Sequence, residues 1–165
     1  MEIKKSAQPP EIEAMRGLIR DRGGYLYHLV SAMRDKTRNW EKIARTALTN
    51  YGCMKYHAFF EKIGGLGDFR AAYLSPTTAK IFDSEVIEQD DEHLVIKAGY
   101  CPLYHAWVDC GADAAYAEKL CDIAMDADRA MVNSIPALDF SLQKSLAFGD
   151  AQCEFLVKLS HKEAK

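Results

Sequence analysis

No stretch of this 165-residue chain approaches the run of about 20 apolar residues that a membrane-spanning helix needs. The opening Met1–Met15 segment has Lys4 and Lys5 but no continuous apolar block behind them, so a secretory leader is not expected. Excess charge of one sign is also missing. A net charge of -3 leaves no basic footprint for nucleic acid. Cysteines are few and scattered: Cys53, Cys101, Cys110, Cys121 and Cys153 are odd in number and contain no CxxC pair. That spacing fits reduced thiols in a cytoplasmic protein better than a secreted disulfide framework. Gly64-Gly65-Leu66-Gly67 is not followed by GK[ST] and does not follow a strand, which removes the phosphate-loop reading and leaves a turn. No internal repeat, low-complexity tract or dividing linker is present.

What the chain does have is an ordinary globular composition, 48% hydrophobic and 27% charged, enough for one core and one domain spanning 1–165. Its front part, 1–75, is helical in pattern. Pro9 and Pro10 enter a first helix carrying Ile12, Met15, Leu18 and Ile19, which Gly23-Gly24 is expected to end. A second helix is expected from Tyr25 to about Lys36. A third, capped by Thr37, carries Trp40, Ile43, Ala44, Ala47 and Leu48, with Gly52 interrupting or kinking it.

After Pro76 the period changes. Lys80–Glu88 is short and rich in β-branched and aromatic residues, and Gln89-Asp90-Asp91-Glu92 reads as a turn into a strand over His93–Tyr100. That strand places Leu94, Ile96 and Ala98 on one face and His93, Val95 and Lys97 on the other. A second hairpin is expected from Leu138 through Leu146, a Gly149-Asp150 turn, and Cys153, Phe155, Val157 and Leu159. Between the hairpins, Asp113 caps a helix to about Asn133 that buries Leu120, Ile123, Ala127 and Met131 against the sheet. The fold class is therefore α+β: N-terminal helices packed with an antiparallel sheet of two β-hairpins separated by a central helix, the 76–165 part carrying the site.

The most informative local feature is Cys101-Pro102-Leu103-Tyr104-His105-Ala106-Trp107, a cysteine directly after a strand and before a short helix. Proline at the first helical position puts Cys101 at the cap, where unpaired N–H groups and the positive end of the helix dipole favour a thiolate. That placement predicts a lowered thiol pKa. His105 lies one turn on and could approach the sulfur as base or partner. The plainer alternative is a capping cysteine beside a partly buried histidine. On the central helix, Cys121 and Asp128 are seven residues apart and share a side, while Asp122, Asp126 and Arg129 fall on a more polar face suited to a surface ion pair. Cys153 shares strand parity with Phe155, Val157 and Leu159, which points it into the core. A zinc site built from Cys101, His105, Cys121 and Cys153 is the metal alternative, although the spacing matches no standard finger or ribbon.

Cys101-Pro102 after a strand, Cys121 with an aspartate soon after it, and the closing Gly149-Asp150-Ala151-Gln152-Cys153-Glu154-Phe155 together resemble the L-2-amino-thiazoline-4-carboxylic acid hydrolase-like family. The resemblance runs from about Asp83 to Leu159, with the helical front half similar only in general character. The Gly-Asp-x-x-Cys-x-Phe ending is also similar to vinyl-reductase-type ligand-binding domains. The family implies hydrolytic opening of a thiazoline ring. It implies a site of Cys101, Cys121 and Cys153 with an acidic partner, for which helical phase favours Asp128 and the family's motif spacing favours Asp126. Catalysis is then expected of Cys101, His105, Cys121 and Asp128, and binding of Cys153, Asp126, Tyr104 and Trp107. No cofactor is expected. The expected partner is a small-molecule substrate or ligand rather than nucleic acid or membrane, in a chain that can form a homo-oligomer. The alternative is a non-catalytic binding or sensor domain with the same pocket.

Overall fold

The computed structural model describes residues 7–160. Lys4 and Lys5, on which part of the leader reading rests, lie outside them. The architecture is α+β, with helices around a four-stranded antiparallel sheet whose strands lie side by side in the chain order first, second, fourth, third. Among the described residues no helix is long and apolar enough to cross a membrane.

The first helix, α1 (Pro10–Lys36), is continuous, so the break expected at Gly23-Gly24 does not occur. Gly23 serves packing between helices instead. A Cβ on Gly23 would stand 2.9 Å from the Cβ of Ala106 and 3.1 Å from the Cα of Leu103. Glycine thus lets α5 (Pro102–Asp109) lie against α1 at backbone distance, and the Trp107 indole N–H donates to the Gly23 carbonyl at 3.1 Å. Helix α2 (Trp40–Lys55) likewise runs through Gly52 without interruption, starting from Asn39 rather than Thr37, whose hydroxyl accepts from the Asn39 N–H. A π-helical turn, Tyr56–Phe60, extends α2, and Gly64 and Gly65 form the loop before α3 (Leu66–Tyr73).

One expected strand segment is helical. Ser75 accepts from the Thr78 N–H and Pro76 occupies the first turn, so Pro76–Phe82 forms α4 and takes Ile81 and Phe82 out of the sheet. Asp83 then reverses the chain in a left-handed conformation (φ 49°) into β1 (Ser84–Gln89). Strand β2 (His93–Ala98) buries Leu94, Ile96 and Ala98 and alternates as the sequence pattern predicts. It pairs with β4 (Cys153–Leu159), which pairs on its far side with β3 (Leu138–Lys144). Leu146 leaves the expected strand for a short 3-10 turn, Leu146–Phe148.

Helix α6 (Ala114–Asn133), capped by Asp113 on the Tyr116 N–H, lies between α2 and the sheet. Its Met131 and Val132 join Leu94, Ile96, Phe140 and Val157 of the sheet and Phe69 of α3 in one core. Leu120 and Ile123 join Val30, Ala44 and Trp107 in a second. This position carries residues of α6 toward the end of β2, where the cysteines gather.

Candidate functional site

Strand β2 does not stop cleanly at Ala98. The N–H groups of Gly99 and Tyr100 donate to the Asp83 and Phe82 carbonyls at 3.1 and 3.0 Å, so pairing with the end of α4 continues until Cys101. Cys101 is extended (φ -129°, ψ 107°) and forms the N-cap of α5. The Tyr104 and Leu103 N–H groups favour a thiolate there, though the sulfur makes no full capping hydrogen bond. Burial outweighs them: the Cys101 thiol is pushed up to about 12, with Cys153 and Cys121 adding to the rise. The lowered pKa expected from the helix N-terminus alone is thus reversed by desolvation.

The three cysteines meet. Cys121 Sγ lies 3.3 Å from the Ser145 hydroxyl, and Cys153 Sγ lies 3.9 Å from the same oxygen. Burial pushes the Cys121 thiol up to about 11 and raises that of Cys153. Ser145 is fully buried and tightly held: its N–H donates to Asp150 at 2.8 Å, and its hydroxyl accepts from the Ala147 N–H at 3.1 Å. Gly149 supplies the left-handed residue (φ 90°) that closes this turn. The Leu146 N–H also points at the Cys153 sulfur, at 3.5 Å. The Gly-Asp-x-x-Cys sequence therefore has a physical meaning: glycine and aspartate fix the serine that touches two thiols. Phe82, Ala98, Tyr104, Leu146 and Phe155 wall the cluster.

A carboxylate reaches the same region. Asp128 of α6 accepts from the Tyr73 hydroxyl at 3.2 Å, and burial raises the pKa of both groups. Cys153 and Cys101 are close enough to the Tyr73 hydroxyl to raise it further. Tyr73, Cys101 and Asp128 are thus deep in the fold, and each keeps some accessible surface. Asp126 faces elsewhere. It pairs with Arg45 of α2 at 2.9 Å and Arg129 at 2.6 Å, and Asp122 pairs with the same two arginines at 2.5 and 2.8 Å. Helical phase thus places Asp128, and not Asp126, beside the tyrosine.

The remaining candidates occupy other surroundings. The His105 imidazole stacks on the Tyr100 ring at 4.5 Å and meets the edge of Tyr104, while the Arg16 guanidinium lies 4.3 Å from the Tyr100 centroid. Trp107 is buried against α1, and Tyr104 is half-buried between the second core and the thiol wall. Tyr73 and Ser145 were not legible as site residues in the sequence. Tyr73 belongs to a helix remote in the chain, and Ser145 follows an alternating stretch that reads as plain strand. Among the described residues no group of three or more histidine, cysteine or acidic side chains is arranged to hold a metal ion.

The model of the L-2-amino-thiazoline-4-carboxylic acid hydrolase family matches residues 22–157. The chain belongs to this family. The match extends well beyond the back half and takes in the helical front, including most of α1 and the whole of α2 and α3. No curated protein matches the chain. A similar solved structure is a trafficking protein particle complex subunit 3 from Naegleria fowleri, covalently bound to palmitic acid. It has a TM-score of 0.60 and 14% identity, and covers 93% of this chain and 99% of that one. At that identity the likeness is one of fold, so this member of the hydrolase family shares its architecture with a complex subunit.

Proposed function

We propose that this chain is a small-molecule hydrolase of the 2-amino-thiazoline-4-carboxylate ring-opening type, with Cys101 as nucleophile. The observation that carries the reading is the meeting of a helix-capping thiol with a deep, partly accessible tyrosine–carboxylate pair, Tyr73 and Asp128. Family membership supplies the substrate class.

The chemistry follows from the protonation states. A buried thiol held near 12 is neutral at ordinary pH and must pass its proton on as it attacks. Asp128, whose proton affinity burial raises, is a better acceptor than an ordinary carboxylate, and the Tyr73 hydroxyl that donates to it lies near enough to Cys101 and Cys153 to be raised by them. The Cys101 sulfur adds to the amidine-like ring carbon while its proton moves to Asp128, and the Leu103 and Tyr104 N–H groups favour the developing charge. The proton then goes to the ring nitrogen as the carbon–nitrogen bond breaks. Water displaces the sulfur, leaving an S-carbamoyl product and the free thiol. In this scheme Cys121 and Cys153 shape the pocket with Ser145, and His105 fixes the entry of α5 by stacking on Tyr100.

The apolar wall of Phe82, Ala98, Tyr104, Leu146 and Phe155 supports a second reading, a ligand-binding module. The structural neighbour's covalent palmitic acid suggests that an acyl chain is one ligand to try. Turnover separates the two. Purified protein is expected to open 2-amino-thiazoline-4-carboxylate, and Cys101→Ser to abolish it by at least about a hundredfold. Undiminished turnover by that variant would sink the nucleophile assignment.

A further inference from the structure

Among the described residues the Asp128 carboxylate receives one hydrogen bond, from the Tyr73 hydroxyl. An ionised carboxylate can take roughly four, and deep in a protein it needs a cation or more donors. Three cations, Lys55, Arg22 and Arg129, act on Asp128 through space, but among the described residues none forms an ion pair with it. Arg129 is bound to Asp122 and Asp126, the Arg22 guanidinium donates to the Tyr51 hydroxyl, and the Lys55 ammonium lies over the Tyr51 ring. Asp122 and Asp126 show the contrast, since each is gripped by two arginines.

We infer that the free side of Asp128 is a receptor for a ligand's protonated amidine or amino group, oriented by Tyr73 and set beside the cysteine cluster. It rests on the proposed reading of that cluster as the ligand site and adds the group that recognises the ligand. A cation seated there has a chemical consequence. Its positive charge, placed near the thiols, favours the thiolate that burial otherwise suppresses. The charges also balance: thiol, carboxylate and amidinium become a neutral adduct and a neutral carboxylic acid. An uncharged acyl chain would find no use for this carboxylate.

The test is binding rather than turnover. Isothermal titration near neutral pH would compare 2-amino-2-thiazoline, the cationic ring alone, with 2-methylthiazole, a neutral ring of similar size. The native protein is expected to prefer the cation, and Asp128→Asn to weaken it by about tenfold to a hundredfold while leaving the neutral ring unchanged. The amide is isosteric and removes a buried charge, so the variant should melt no lower than the native protein. Guanidinium at non-denaturing concentration should compete with the cationic ring, which tests the receptor without any substitution. Equal affinity for the two rings, no competition by guanidinium, or unchanged cation binding by Asp128→Asn would each overturn the receptor. Asp128-dependent binding without turnover of the carboxylate-bearing ring would instead uphold the receptor and remove the hydrolase reading.

Discussion

A Cβ on Gly52 would stand 2.2 Å from the carbonyl oxygen of Ala127 and 2.9 Å from the Cβ of Ala130, so α2 and α6 meet with backbone against backbone. In an exposed helix, replacing glycine by alanine gains about 1 kcal/mol. Here the added methyl meets a carbonyl that can move only if α6 moves, and overpacking costs about 1–3 kcal/mol or more. Gly52→Ala is expected to lower stability despite its helix propensity. Urea denaturation should give a lower midpoint at an unchanged slope, and a raised midpoint would mean that the helices separate at little cost.

Gly52 and Gly23 also show where sequence reading stops. Glycine within an apolar helical pattern has the local signature of a break, and the backbone contacts that give it a reason to stay helical come from α6 and α5, far along the chain. Local signals worked where the cause was local. Asp113 caps α6, Pro102 opens α5 after a strand, and the alternation of β2 sets its buried face. At Pro76–Phe82 two local signals competed, and the Ser75 cap with proline prevailed over the β-branched content. The site divides in the same way. Cys101, Cys121 and Cys153 carried recognisable sequence context, whereas Tyr73 reaches Asp128 only through the docking of α3, which no spacing discloses.

Arg45 ties α2 to α6 through Asp122 and Asp126, with Arg129 completing the array and Glu41 joining on α2. Burial alone would raise the Asp122 carboxyl, but the hydrogen bonds from Arg45 and Arg129 hold it below its ordinary value. Such a group stabilises the fold above its unfolded pKa, and the contribution is lost as pH falls through the folded one. Arg45→Met keeps the aliphatic stem and removes the charge, at an expected cost of about 1–2 kcal/mol near neutral pH. The deficit should shrink in acid and at high salt. Thermal melts of both proteins across pH would show this, and a deficit constant with pH would assign the loss to packing.

Burial holds the Cys101 thiol near 12, against an unperturbed value of about 8.5. At neutral pH the free protein then carries about one thiolate in 10⁵ at this position, and alkylation should accelerate about tenfold per pH unit up to roughly pH 11. Peptide mapping after brief iodoacetamide treatment should find Cys101 slower than cysteine in solution, even though it keeps accessible surface. If it is nevertheless the nucleophile, its proton must leave only when ligand is present. Saturating 2-amino-2-thiazoline should then speed alkylation of whatever sulfur it leaves accessible, or protect it by direct cover, and Asp128→Asn should remove either effect. Rapid, selective labelling of Cys101 at neutral pH without ligand would show instead that the helix N-terminus outweighs burial, and the nucleophile would need no ligand to become reactive.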